Sequence, residues 1–165
     1  MLLLGIDPGL NRTGYALLRL PGRELVEGGI LRTTSSHSLA ERVLEIRNGL
    51  RDVIAEHRPE AAALEQVFSL PRNPKTAVLM AHARGVILVT LAEAGLHPRH
   101  YTPAQIKKLL TGSGSAGKEQ VQRAVQRELR LPSLLEPNDV ADAAAIALCL
   151  SGEMEIAGQQ WSDAG

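Results

Sequence analysis

Aromatic residues are scarce in this chain of 165 residues: one Phe, two Tyr and one Trp, 2% in all. Tyr15, Tyr101 and Trp161 are too few and too scattered to form the stacking platform of a single-strand-binding protein. The single cysteine, Cys149, lies in an apolar helix pattern and excludes a disulfide framework. Five histidines (His37, His57, His82, His97, His100) include no H-x-x-x-H pair, which leaves no zinc pattern. No stretch approaches the roughly 20 consecutive apolar residues of a membrane helix, and no membrane association is expected. The start, MLLLGID, lacks the basic region and small-residue cleavage site of a secretory signal, so a cytoplasmic location is expected.

The chain also lacks net charge, but its charges are unevenly spread. From Val67 to Arg130 there are ten Lys or Arg against three Glu, whereas from Leu131 onward there are six acids and no Lys or Arg. A basic middle third can present one face to a polyanion even when the sum is zero. Sign fluctuation on a solvated helical surface would give the same pattern.

Hydrophobic periodicity reads as one mixed α/β domain over residues 1–151. Leu2 to Asp7, Thr13 to Leu20 and Leu25 to Thr33 are strand-like and separated by Pro8-Gly9 and Pro21-Gly22, which suggests an antiparallel meander. Ser38 with Glu41 forms a capping box ahead of a long amphipathic helix. Glu60 to Val67 reads as a buried strand, Lys75 to Ala94 as a long apolar helix and His97 to Tyr101 as a short strand. Thr102-Pro103 opens a helix through Leu110, Gly112 to Gly117 is a loop, and Lys118 to Arg130 is another helix. The last helix starts near Asn138, and residues 152–165 have no sustained period, so a flexible tail is expected there.

Against this pattern four acids stand out. Asp7 and Glu65 close apolar strands, and Asp139 with Asp142 open a nearly all-apolar helix. A carboxylate on an apolar element costs several kcal/mol to bury unless a cation or hydrogen-bond donors compensate it. No Lys or Arg stands beside any of the four in sequence. Each has an ordinary explanation alone: turn chemistry before Pro8-Gly9, a strand end facing water, or compensation of the helix dipole. Spacing of i, i+3 puts Asp139 and Asp142 on one helical face, and a buried helix rarely ends in two unpaired acids. Together the four would suit a hard divalent cation with oxygen ligands from several segments.

GIDPGLNRTGYAL, LEQVF, the ARG at Ala83 to Gly85, GSGSAGKEQVQ and NDVADAAAIAL occur in that order between Leu4 and about Leu150. With these motifs the chain resembles the RuvC family of bacterial Holliday-junction resolvases. The resemblance implies an RNase H-like α/β fold, a five-stranded mixed sheet flanked by helices, and a structure-selective endonuclease that makes paired symmetric cuts in four-way DNA junctions. It implies that Asp7, Glu65, Asp139 and Asp142 bind metal, two Mg2+ per site with Mn2+ able to substitute, and that Lys118 or Lys107 stabilises transition-state charge. Phe68 matches the aromatic that stacks at the exchange point, with Arg72 and Lys75 after it. Lys107, Lys108, Lys118 and Arg12 are further candidates for DNA contact, and Asn11 and Arg12 would serve equally as turn residues. A homodimer is implied, with the helix from Thr76 to Ala94 as candidate surface, as are RuvA and RuvB as partners. The short acidic tail departs from relatives that continue with basic residues.

Other readings fare less well. Gly112 to Lys118 has P-loop spacing, but Glu119 replaces the magnesium-holding Ser or Thr and a helix pattern precedes it. IDPG before a strand also suits actin-like and sugar-kinase ATPases, which need two lobes where this chain has length for one. A non-catalytic binding module would not need all four acids. A shorter relative that processes ribosomal RNA shares the DPG start but would not carry Phe68 and this ending together.

Overall fold

A computed structural model describes residues 1–66 and 74–162, with side chains to residue 156. Strands β1 (Leu2–Asp7), β2 (Arg12–Arg19) and β3 (Glu24–Arg32) form the expected antiparallel meander. Helix α1 (Leu39–His57) follows, its Ser38 hydroxyl accepting from the Glu41 amide at 3.3 Å and the Glu41 carboxylate accepting from the Ser38 amide at 2.7 Å. Then come β4 (Ala61–Glu65), α2 (Pro74–Glu93), β5 (Arg99–Tyr101), α3 (Pro103–Thr111), α4 (Lys118–Glu128) and α5 (Asn138–Ser162). The sheet order is β3-β2-β1-β4-β5, with β4 parallel to both β1 and β5. This is the RNase H-like five-stranded mixed sheet with helices on both faces.

Strand alternation divides the core in two and places the acids. Leu4, Ile6, Leu17, Ala62 and Leu64 pack with Ile46, Leu50, Ile87 and Leu91 of α1 and α2. Their neighbours Leu3, Ala16, Leu18 and Ala63 pack on the other face with Ala143, Ala144, Ile146 and Ala147 of α5 and with α3 and α4. Side chains alternate with period two. The pattern that sends Ile6 and Leu64 toward α1 and α2 therefore sends Asp7 and Glu65 to the α5 face.

Helix α5 lies against the sheet at backbone distance. A Cβ on Gly5 would stand 2.2 Å from the Ala143 carbonyl oxygen, one on Gly14 2.1 Å from that of Asp139, and one on Gly28 2.5 Å from Val140 Cγ1. At Gly5 and Gly14 the nearest opposing atom is helix backbone, and at Gly28 it is the Val140 side chain, so nothing larger separates the layers at these points. Dispersion contacts at such separations are collectively large, and a single added methyl has nowhere to go.

Two expectations are corrected. Residues 152–162 do not form the expected loose tail: α5 continues to Ser162. Arg23 bonds Glu155 through Nη2 at 2.5 Å and Glu128 through Nη1 at 2.5 Å, and Arg99 approaches Glu153 at 3.5 Å, so acids lacking basic neighbours in sequence find them in space. Helix α2 does have the length and mean hydropathy, 1.4, of a membrane span. It carries Arg84 at mid-length and packs Ala83, Ile87, Thr90 and Leu91 into the core, while Val78 and Val89, 56% and 54% exposed, face outward.

Gly14→Ala is expected to cost at least about 2 kcal/mol, since overpacking a dense interior costs about 1–3 kcal/mol and the opposing atom is backbone. Gly152→Ala, in helix α5 with open space around it, is expected to gain about 0.5–1 kcal/mol. Urea denaturation of the two variants checks both signs; a neutral Gly14→Ala would show that the layers separate freely.

Candidate active site

The acids converge through strand register. Ile6 pairs with Leu64 in the parallel β1–β4 ladder, so the next residues, Asp7 and Glu65, leave adjacent strand ends side by side. Asp7 is also opposite Gly14 in the β1–β2 ladder, and Gly14 abuts the Asp139 backbone, which brings the first turn of α5 to Asp7. Asp142, one turn on, lies on the same side as Asp139. The site thus sits at the carboxyl ends of the parallel strands, where open α/β sheets leave a crevice.

The electrostatics show how close the four are. Burial, followed by repulsion from Glu65 and Asp142, pushes the Asp7 carboxyl from its ordinary 3.8 up to about 8, with Asp139 adding to the push. Burial also raises Glu65, opposed by a hydrogen bond with Asp7 and by Lys107. Asp142 is raised by burial and held down by Lys118, whose Nζ lies 3.9 Å from its Oδ2. At neutral pH Asp7 therefore keeps a proton and donates it to Glu65.

The cleft beside these acids has a volume of about 280 Å³ and is lined by Glu65, Asp142, Lys107, Lys118 and the apolar Ile106, Val121 and Ile146. Lys107 and Lys118 are placed as expected, on α3 and at the first position of α4. Lys108, on the next α3 position, is exposed and does not line the cleft. Lys75 is exposed at the start of α2. Phe68 and Arg72 lie outside the described residues. Asn11 is a structural residue: its carbonyl accepts from the Thr33 amide at 3.2 Å and its side chain from Arg42. Arg12 turns inward, its Nη2 lying 2.6 Å from Asp139 Oδ2.

Arg84 has a role that sequence reasoning missed. Its Nε donates to the Glu65 carbonyl at 3.2 Å and its Nη2 to His100 Nδ1 at 2.8 Å, which fixes the end of β4 against β5. The only advance signal was the ARG motif. His37 and His57 likewise meet Glu45 and Glu27, as structural histidines do.

Among the described residues the groups that meet at the centre are hard oxygen donors, and two of them share a proton; a divalent cation answers that chemistry. The set is open: among the described residues no three acids close around one point as a finished ligand cage.

A deep acidic edge on an RNase H-like sheet, flanked by two lysines, defines the class of nucleases that hydrolyse phosphodiesters between carboxylates. Within it the match is specific: the profile of crossover junction endodeoxyribonuclease RuvC spans residues 3–150, and the chain belongs to that family. It is 50% identical over 149 residues to the crossover junction endodeoxyribonuclease RuvC of Rhodopirellula baltica, covering 89% of this chain and 84% of the relative. The relative from Bordetella avium is 46% identical over 151 residues, covering 90% and 82%. The structure of Thermus thermophilus RuvC in complex with Holliday junction substrate superposes with a TM-score of 0.88 at 34% identity, over 95% of this chain and 96% of that one. The yeast mitochondrial Holliday junction resolvase Ydc2, at 12% identity and a TM-score of 0.61 over 89% and 76%, shares the fold.

A carboxyl whose folded pKa exceeds its unfolded one binds its proton more tightly in the native state, so its contribution to stability falls as pH rises between the two values. For Asp7 that window runs from about 4 to about 8. In chelator, the melting temperature of Asp7→Asn is expected to gain on that of the unmodified protein as pH rises from 5 to 8, by about 3–6 °C, equivalent to about 1–2 kcal/mol. A difference that does not change with pH would contradict the shared proton.

Proposed function

We propose that this chain resolves four-way DNA junctions by paired, symmetric, metal-dependent phosphodiester hydrolysis in recombination and repair. The observation that carries the reading is the convergence of Asp7, Glu65, Asp139 and Asp142 on the RuvC-family scaffold, beside a cleft with two lysines. The relative from Thermus thermophilus, similar over nearly the whole chain, is known in complex with a Holliday junction substrate.

Asp7 and Glu65 with Asp139 and Asp142 would hold two Mg2+ per site, with Mn2+ able to substitute. Bound there, the ions supply Lewis-acid polarisation of the scissile phosphate and activation of water. The chain's own residues do the rest. The sheet and α5 hold the carboxylates in place before substrate arrives. Lys107 and Lys118 present ammonium groups where negative charge accumulates as water attacks phosphorus and the strand's oxygen leaves. Ile106, Val121 and Ile146 form the apolar wall of that cleft, where charge interactions exceed their strength in bulk water.

A junction is two-fold symmetric, and two matching cuts call for two sites in one C2 assembly. The outward side of α2, with Val78, Ala81, Gly85 and Val89 one or two turns apart, is an apolar stripe suited to a second copy. Phe68 is assigned to stacking at the exchange point, worth about 1–3 kcal/mol per base. Action in the cytoplasm with RuvA and RuvB belongs to the same reading, as do Arg72, Lys75 and Lys108 as phosphate contacts.

Asp7→Asn, Glu65→Gln and Asp142→Asn are each expected to cut a four-way junction at least about 100-fold more slowly while retaining its binding in a gel shift. Loss of binding along with cutting would make the acids structural. Sedimentation at micromolar concentration is expected to show a dimer, and Val78→Asp with Val89→Asp a monomer. A stable monomer of the unmodified chain would remove the symmetric assembly.

A further inference from the structure

Asp139 is singled out among the four acids by direct contact with a cation of the protein's own. Arg12 Nη2 lies 2.6 Å from its Oδ2, whereas Lys118 stays 3.9 Å from Asp142. The backbone on both sides of this pair is fixed. The Thr13 hydroxyl donates to the Gly9 carbonyl at 2.8 Å, the Thr33 hydroxyl donates to that of Leu10 at 2.7 Å, and the Asp139 carbonyl is packed on Gly14. The Arg12 side chain can change partner while both backbones stay in place.

Its grip is incomplete. Arg12 Nε is buried and has no hydrogen-bond partner, so the guanidinium is held at its end and unsatisfied along its edge. A buried donor without a partner carries its full desolvation cost. Next to it is a recess of about 270 Å³ lined by Arg12, Glu136, Pro137, Asn138 and Asp139. The recess has room for the guanidinium and a second carboxylate, Glu136, on its wall.

We propose that Arg12 is a resident counter-cation of the acidic site: it holds Asp139 in the metal-free protein, competes with the divalent ion for that carboxylate, and moves toward Glu136 when the ion loads. The inference rests on the metal-dependent reading above. A guanidinium and a divalent cation cannot share one carboxylate oxygen without strong repulsion. Arg12 therefore acts on the site through Asp139, as a positioning residue. Its release also frees a positive group in that recess, where a backbone phosphate of the junction would meet it. Binding linkage is reciprocal, so DNA that captures Arg12 would tighten the ion by the factor by which the ion tightens DNA.

The test measures Mn2+ binding by the full chain through the electron spin resonance signal of the free ion, with melting temperature as a check on folding. Arg12→Gln is expected to bind Mn2+ about fivefold or more tightly than the unmodified chain, the low end of usual coupling factors. In an Asp139→Asn background the same substitution is expected to change nothing. Glu136→Gln, which leaves Arg12 without its second partner, is expected to weaken Mn2+ binding. Unchanged or weaker binding by folded Arg12→Gln would overturn the proposal, as would tightening that persists without Asp139. If Arg12→Gln does not fold, the Glu136→Gln result decides alone, and unchanged affinity there overturns it. An unmodified chain that binds no Mn2+ at millimolar concentration would instead overturn the metal-dependent reading itself.

Discussion

The close seating of α5 on the sheet is the contact on which the rest depends. Gly5, Gly14 and Gly28, one on each of three neighbouring strands, present bare backbone to Ala143, Asp139 and Val140. The benefit is dense apolar packing between the layers; the consequence for chemistry is positional. A helix raised by one methyl group would carry Asp139 and Asp142 away from Asp7 and Glu65, which are anchored separately in the β1–β4 ladder. The site is thus the meeting point of two rigid bodies. Its geometry is set by what the glycines omit.

That meeting has an electrostatic cost which the protein offsets in three ways. Asp7 keeps a proton and shares it with Glu65, Lys118 approaches Asp142, and Arg12 holds Asp139. Each device leaves its carboxylate usable: a proton dissociates, an ammonium at 3.9 Å is loosely held, and a guanidinium can turn aside. A site built for stability alone would have used buried, fully satisfied ion pairs or apolar residues of similar volume. Here the acids remain costly enough for a divalent ion to be the better partner.

Much of this was legible in the sequence, for physical reasons that differ by element. Strand alternation and the i, i+3 spacing of Asp139 and Asp142 are local, so the four acids and the order of strands and helices could be read directly. Which acid each cation meets could not. Arg12 and Lys118 are far in sequence from Asp139 and Asp142, and only the fold brings them into contact. The continuation of α5 to Ser162 was hidden for the same reason, since its acids Glu153 and Glu155 are met by Arg99 and Arg23 from distant segments. A glycine in a strand announces that something comes close without saying what; Gly14 acquires its meaning from Asp139 alone. The basic middle third of the chain proved divided in use. Arg123 serves Glu119 and Arg84 holds Glu65 and His100, while Lys107 and Lys118 line the cleft.

The central claim is that the converged acids cut a branched DNA. The most direct measurement incubates the chain with a labelled synthetic four-way junction and with linear duplex of the same sequence, each with Mg2+ and with chelator. Paired nicks at symmetric positions, in the junction alone and only with the metal, are the predicted result. A junction bound but left intact in both Mg2+ and Mn2+ would contradict the account and leave a binding module on a nuclease fold.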